Sequence, residues 1–294
     1  MIRLDAATVL LQWSVGGLSF LWFTTRRRVV GLGYGWLLRS TFLLMLLGGF
    51  AAGLAFGFVP MRDIAALAVA AATAVALVVS VRRKGAGVSG ADAEHDRRSA
   101  RVAEMTGIDR APESGGPTVA GERPGVEFPP ALDLIAPAIG VIGLIAAGID
   151  ASTGGAENLI VAVLRTLAGA AFLGAVTDAM LLGHWYLVQP GLPRKHLNDL
   201  VRALGWVWPI EVAALLLPTG MLAVWNGEVD DGWNGTLGWF WGACAATTIV
   251  LVYVTKAALK ERYYSAVMAA TGLLYLAILT AFGTDLVARA VLAG

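Results

Sequence analysis

A single cysteine, Cys244, stands among 294 residues, which excludes an intrachain disulfide and any metal site built on several thiolates. Histidine is nearly as scarce: His95, His184 and His196 complete the set. Charged residues make up 15% of the chain, against roughly a quarter in a soluble domain. The formal net charge is +1, and no basic stripe interleaves with aromatics, so a nucleic-acid partner is excluded. The patterns HExxH, GxSxG, P-loop and CxxC are missing. The spaced glycines of "GLGYG" (31–35) follow an apolar run instead of a strand, which rejects a dinucleotide site. Nothing here marks the isolated chain as an enzyme. A non-catalytic subunit of an oxidoreductase remains compatible with it.

What the chain has in quantity is apolar surface. Hydrophobic residues reach 57% and the mean hydropathy is +0.69. They come in blocks of about 20, the length of helix that crosses the ~30 Å hydrocarbon layer of a bilayer. The expected fold is therefore all-α, a polytopic integral membrane protein. About eight transmembrane helices can be drawn, near 6–25, 38–59, 63–81, 131–149, 158–187, 204–225, 236–256 and 264–288. The opening MIRLD is not a secretory signal, because Arg26, Arg27 and Arg28 follow the first apolar run instead of preceding it.

Orientation follows from the basic residues, which are retained on the cytoplasmic side. With both termini outside, 18 of the 22 Lys and Arg fall on inner segments, and the acidic "NGEVDDGWNGT" falls outside. The plasma (inner) membrane of a bacterium is the expected location, and heavy Ala, Gly, Val and Arg usage suits a high-GC genome. Residues 82–130 carry eight basic and eight acidic residues, with Gly and Pro but few large apolar groups. Such a stretch cannot bury enough surface to offset its ordering entropy, so a disordered cytoplasmic linker is expected, with a short helix near 92–106 as an option. The linker separates helices 1–3 (residues 1–81) from helices 4–8 (131–294). Counting in fours instead gives two parallel four-helix units, with only "WSVGGLSF" (13–20) against "RTLAGAAF" (165–172) to suggest a repeat.

The candidate site residues are the ionisable groups inside apolar runs, which are costly there and mark sites by default. Asp178 is expected near the middle of span five. Glu211 follows Pro209 in span six, and Pro218 and Gly220 break that helix again. If spans five and six are antiparallel neighbours and span six starts near 204, the two carboxyls lie at similar depth. Facing each other in low dielectric, both could not stay ionised, and one would hold a proton. A proton relay, a cation site or a hydrogen bond to a quinone carbonyl would each use that pair. The ordinary alternative is a structural hydrogen bond. His184, next to Trp185 and Tyr186, fits an interfacial aromatic belt or a proton donor to a quinone. Only His196 could pair with it near the membrane, which argues against bis-His haem. Asp285 and Arg289, four apart on the last span, fit a structural helical ion pair. His95 in the linker reads as a solvated residue.

The run "GLLYLAILTAFGTDLVARAVLAG" (272–294) resembles the closing helix of the membrane-anchor subunits of dimethyl-sulfoxide and polysulfide reductases. Those anchors have about eight spans, both ends outside, and a last helix with an acid followed four residues later by Arg, here Asp285 and Arg289. The resemblance implies a quinol or menaquinone site and docking of an iron–sulfur redox subunit, with no covalently bound cofactor. It covers those 23 residues and the topology. This chain departs in having Asp where Glu is usual and in its long linker after span three. Three function classes stay open: a quinone-interacting or proton-handling anchor of a redox complex, a proton- or cation-coupled transporter of a small solute, and a non-catalytic scaffold or assembly factor.

Overall fold

The computed structural model describes residues 4–90, 126–152, 156–189, 192–261 and 263–292. Among them the chain is all-helical. The helices are α1 (Ala6–Thr25), α2 (Leu32–Phe56), α3 (Pro60–Arg82), α4 (Leu132–Asp150), α5 (Ala156–Trp185), α6 (Lys195–Leu216), α7 (Gly220–Trp225), α8 (Thr236–Ala258) and α9 (Tyr264–Leu292), with a 3-10 turn at Lys84–Ala86. Seven of these are long and apolar enough to cross a membrane: α1 to α5, α8 and α9. Large apolar side chains such as Leu44, Ile64, Ile160 and Leu279 point outward, 60–70% exposed, as a lipid-facing surface requires.

Local chemistry sets several helix ends. The Asp5 carboxylate caps α1 by accepting from the Ala7 and Thr8 amides at 3.1 and 3.3 Å. Pro60 occupies the first turn of α3, where a missing N–H costs nothing, and Asp63 reaches back to the Val59 amide at 2.7 Å. α2 starts six residues before the expected 38, because Tyr34, Leu38, Phe42 and Leu46 form one i, i+4 stripe buried in the core.

The larger departure lies at the sixth expected span. Hydropathy alone puts its start near 204, but α6 begins at Lys195. His196, Leu197, Leu200, Val201 and Leu204 recur at helical spacing and are all buried, so the segment folds as an amphipathic helix despite its charges. At the other end the expected 204–225 span is broken. Pro218 has no N–H to continue the ladder, the helix stops at Leu216, and the short α7 follows.

The helices form two rings of four. α1, α2, α3 and α4 pack in sequence around the first, and α5, α6, α8 and α9 around the second, while α1 and α4 join the rings through α5. The first helix of each ring runs the same way, as counting in fours requires. α1 and α5 cross at Gly16 and Gly174, where a Cβ on either glycine would collide with the other helix's backbone. Trp13 Nε1 donates to Thr177 Oγ1 at 2.8 Å beside the crossing. One end of the bundle, the terminal face, carries Asp5, Asp150, Leu217 and Leu292. The opposite linker face carries Thr25, Arg82, Leu132, Trp185 and Lys195.

Buried ion pairs tie the first ring together at both ends. At the terminal face Arg62, 2% exposed, bridges Asp5 and Asp63 and donates to the Gly57 carbonyl. Toward the linker face Arg39 holds Asp133 in a two-bond fork at 2.8 and 2.7 Å. Basic residues cluster there too: Arg28 pairs with Glu127 at 2.6 Å, and Arg27 and Arg202 both lie 3.7 Å from Asp199. The ends of the expected 82–130 linker are thus ordered, since Glu127 also accepts from the Ser89 amide and Phe128 is buried against Arg39. The rest of that linker, with His95 and the optional helix near 92–106, lies outside the described residues.

Candidate functional site

Asp178 is completely buried in α5. Among the described residues its only side-chain partner is Tyr34 of α2, whose hydroxyl lies 3.4 Å from Oδ1, and Oδ2 meets no donor. The Trp185 ring packs beside Tyr34, with centroids 5.9 Å apart. Asp178 thus sits in tight packing toward the linker face.

Glu211 is also completely buried, but elsewhere. α5 and α6 are antiparallel neighbours as expected. Because α6 starts at Lys195, Glu211 lies sixteen residues, about 24 Å, from the linker face, whereas Asp178 lies seven residues, about 10 Å, from the end of α5 at Trp185. The expected pairing of the two carboxyls therefore fails. They sit about 14 Å apart along the bundle axis, toward opposite faces.

Glu211's true neighbours are Asp285 and Arg289 on α9 and Arg165 on α5, all within electrostatic reach. Neither of its oxygens meets a donor in hydrogen-bond geometry. Asp285 and Arg289 form the expected helical pair, with Nε 2.9 Å from both carboxylate oxygens. The pair is not a surface feature: Asp285 is fully buried and Arg289 is 15% exposed. Gln12 of α1 donates to Asp285 at 3.3 Å, and its own Oε1 lacks a partner. Room for this convergence comes from Gly169, since a Cβ there would strike Gln12, Asp285 and the Arg289 guanidinium.

Arg165 explains how the broken helix is tolerated. Without a proline N–H at 218 the Ala214 carbonyl has no helical partner, and Arg165 Nε supplies one at 3.1 Å. Its Nη2 donates to the Leu217 carbonyl, just past the helix end. Arg289 Nη2 in turn donates to the Arg165 carbonyl at 2.9 Å. The Nη1 atoms of both arginines make no hydrogen bond among the described residues.

Those guanidinium groups line a half-open cavity of about 110 Å³ at the terminal face, with Thr8, Thr166, Val9 and Leu215 among its other walls. A smaller space of about 30 Å³ lies at the linker face between Arg28, Arg39 and Phe128. His184 joins neither site. It is exposed on the flank of α5, its ring edge-on to Tyr275 with centroids 6.4 Å apart. Among the described residues no three His, Cys, Asp or Glu side chains converge as metal ligands.

Sequence reasoning missed Gln12, Arg165, Gly169, Tyr34 and the Arg39–Asp133 pair. Arg165 carried a usable signal, being a charge well inside an apolar helix. Gln12 and Gly169 carried none, because only the α1–α5 crossing reveals what they face. The chain matches no family model, no curated protein and no solved structure.

Proposed function

We propose that this chain is an eight-span membrane protein that takes up and releases a proton at Glu211, reached from the terminal face through the cavity beside Arg165 and Arg289. One observation carries the reading: a fully buried carboxyl with no donor, next to two guanidinium groups that border an opening. A carboxylate in that setting is stabilised either by a proton or by movement toward an arginine. Such a choice between two partners is what a proton-exchanging group requires.

The eighth crossing is α6, which packs antiparallel to α5 and carries its Lys, Arg and Asp in the turns nearest the linker face. The arginines gathered at the linker face support a cytoplasmic position for it, with the terminal face outside, in a bacterial inner membrane. The broken α6–α7 element and the arginine-lined cavity favour coupling the proton to a small solute, since discontinuous helices commonly line solute sites. The redox-anchor reading has its own support. Asp285 and Arg289, the residues of the last-helix resemblance, belong to the same cluster as Glu211.

A hydrophobic carbodiimide tests the proton site, because it reacts with protonated carboxyls in lipid. Peptide mapping of labelled membranes is expected to find Glu211 modified, more slowly as pH rises, with Asp285 protected by Arg289. An unmodified Glu211 at every pH would overturn the proposal.

A further inference from the structure

The terminal-face cavity has a chemistry that selects a ligand. Arg165 and Arg289 stand close enough to repel each other, both line the same space, and neither Nη1 makes a hydrogen bond among the described residues. Asp285 already offsets the charge of Arg289, and Asp5 at the rim shares Arg62 with Asp63. Arg165 is left with carbonyl partners only, so its charge has no ion pair among the described residues. The remaining walls are apolar, Val9 and Leu215 among them, apart from two threonines whose hydroxyls donate to Asp5 and to the Ala162 carbonyl. An uncompensated guanidinium beside an apolar space fits a planar anion with a short hydrocarbon tail.

Resting on the proton site proposed above, we infer that this cavity binds the carboxylate of a small monocarboxylic acid at Arg165, and that Glu211 takes up one proton as the anion binds. The coupling is a competition. The groups facing Glu211 are Arg165 from α5 and Asp285 and Arg289 from α9. The uncharged Gln12 of α1 is bonded to Asp285, and Trp241 of α8 lies in the apolar cluster against which Val212 packs. Glu211 lies against Asp285 and is acted on by Arg289 more than by Arg165. Arg289 is already bonded to Asp285, however, so Arg165 is the cation left for an ionised Glu211 to turn to. An entering carboxylate claims that guanidinium, and Glu211 then stays buried as the neutral acid. Anion and proton bind together, and the net charge of the cluster is unchanged.

Isothermal titration calorimetry tests this with the full chain in nanodiscs and sodium butyrate as the probe. Runs in two buffers of different ionisation enthalpy count the protons exchanged. Wild type is expected to take up about one proton per butyrate, with affinity rising up to about tenfold per unit fall in pH. E211Q should still bind butyrate, without proton uptake or pH dependence. R165Q should lose binding. Because Arg165 also holds the end of α6, A162F serves as a second variant that fills the cavity and leaves every charge in place. It should abolish butyrate binding yet keep carbodiimide labelling of Glu211. Absence of butyrate binding to wild type overturns the site, and binding without proton uptake overturns the coupling. Binding of inorganic phosphate or a short-chain phosphatidic acid, with butyrate rejected, overturns the ligand class. If Glu211 is labelled while butyrate fails to bind, this inference alone falls. An unlabelled Glu211 removes the reading beneath it.

Discussion

Replacing Asp133 by Asn removes the counter-charge from an arginine that has almost no water. The Arg39 and Asp133 side chains are 3% and 2% exposed. Two charge-assisted bonds at 2.8 and 2.7 Å join them. Thr25 Oγ1 adds a contact to the carboxylate at 3.3 Å, and the Phe128 ring lies 4.5 Å from the guanidinium carbon. Deleting one partner of such a pair costs about 3–5 kcal/mol, mostly because the other charge stays buried and unpaired. D133N should fall near the lower end, about 3 kcal/mol, since the amide oxygen still accepts one bond and the Phe128 face still shields the cation. R39M should fall near the upper end, about 5 kcal/mol, because only Thr25 then remains for the carboxylate. The R39M/D133L double variant should recover to within about 1 kcal/mol of wild type, since replacing both charges by apolar groups is often neutral or stabilising. Unfolding in mixed micelles with rising dodecyl sulfate, followed through the ten tryptophans, measures all four proteins. Single variants within about 1 kcal/mol of wild type would refute the reasoning, because the pair would then be solvated.

Further outcomes follow from the same geometry. G169A should disorganise the Gln12–Asp285–Arg289 junction and change the rate of carbodiimide labelling at Glu211, whereas G272A, with open space around it, should not. G174A should destabilise the bundle by about 1–3 kcal/mol in the same micellar assay through overpacking of the α1–α5 crossing. At the loop before α8, burial acts to raise the pKa of Asp231, but the amides of Gly235, Trp233 and Leu237 outweigh it and hold the carboxylate below its usual range. A lowered folded-state pKa gives stability that is present above the unfolded value and lost as pH falls through the folded one. Hydrogen exchange at 231–237 should therefore accelerate in acid, and D231N should show fast exchange already at neutral pH. With Cys244 buried and silent, E228C should react with an impermeant maleimide on intact cells, and K84C only after permeabilisation. The reverse pattern would invert the topology.

Much of the architecture was legible because lipid imposes it. Helices and closed barrels alone satisfy the backbone across a bilayer, so hydropathy located the seven most apolar helices, and the missing N–H of Pro218 located the break. The register of α6 was hidden for the opposite reason. Lys195, Asp199 and Arg202 look like loop residues, and only their interleaving with His196, Leu200 and Leu204 shows the helix. That shift of nine residues moved Glu211 away from Asp178 and into the company of Asp285 and Arg289. The candidate site was therefore half legible. Ionisable residues inside apolar runs named Glu211, Asp285 and Arg289, but which of them meet depends on helix crossings that no spacing along the chain records. His184 was visible for its chemistry, and its exposure removes it from the cluster.

The central claim is that Glu211 exchanges a proton. Infrared difference spectroscopy of the protein in nanodiscs, stepped in pH, reads the C=O stretch of a neutral carboxylic acid directly. Wild type minus E211Q should leave one carboxylic band that disappears as pH rises, insensitive to D178N and shifted by R165K. A difference spectrum with no titrating carboxylic band, or one that vanishes with D178N instead of E211Q, would contradict the account.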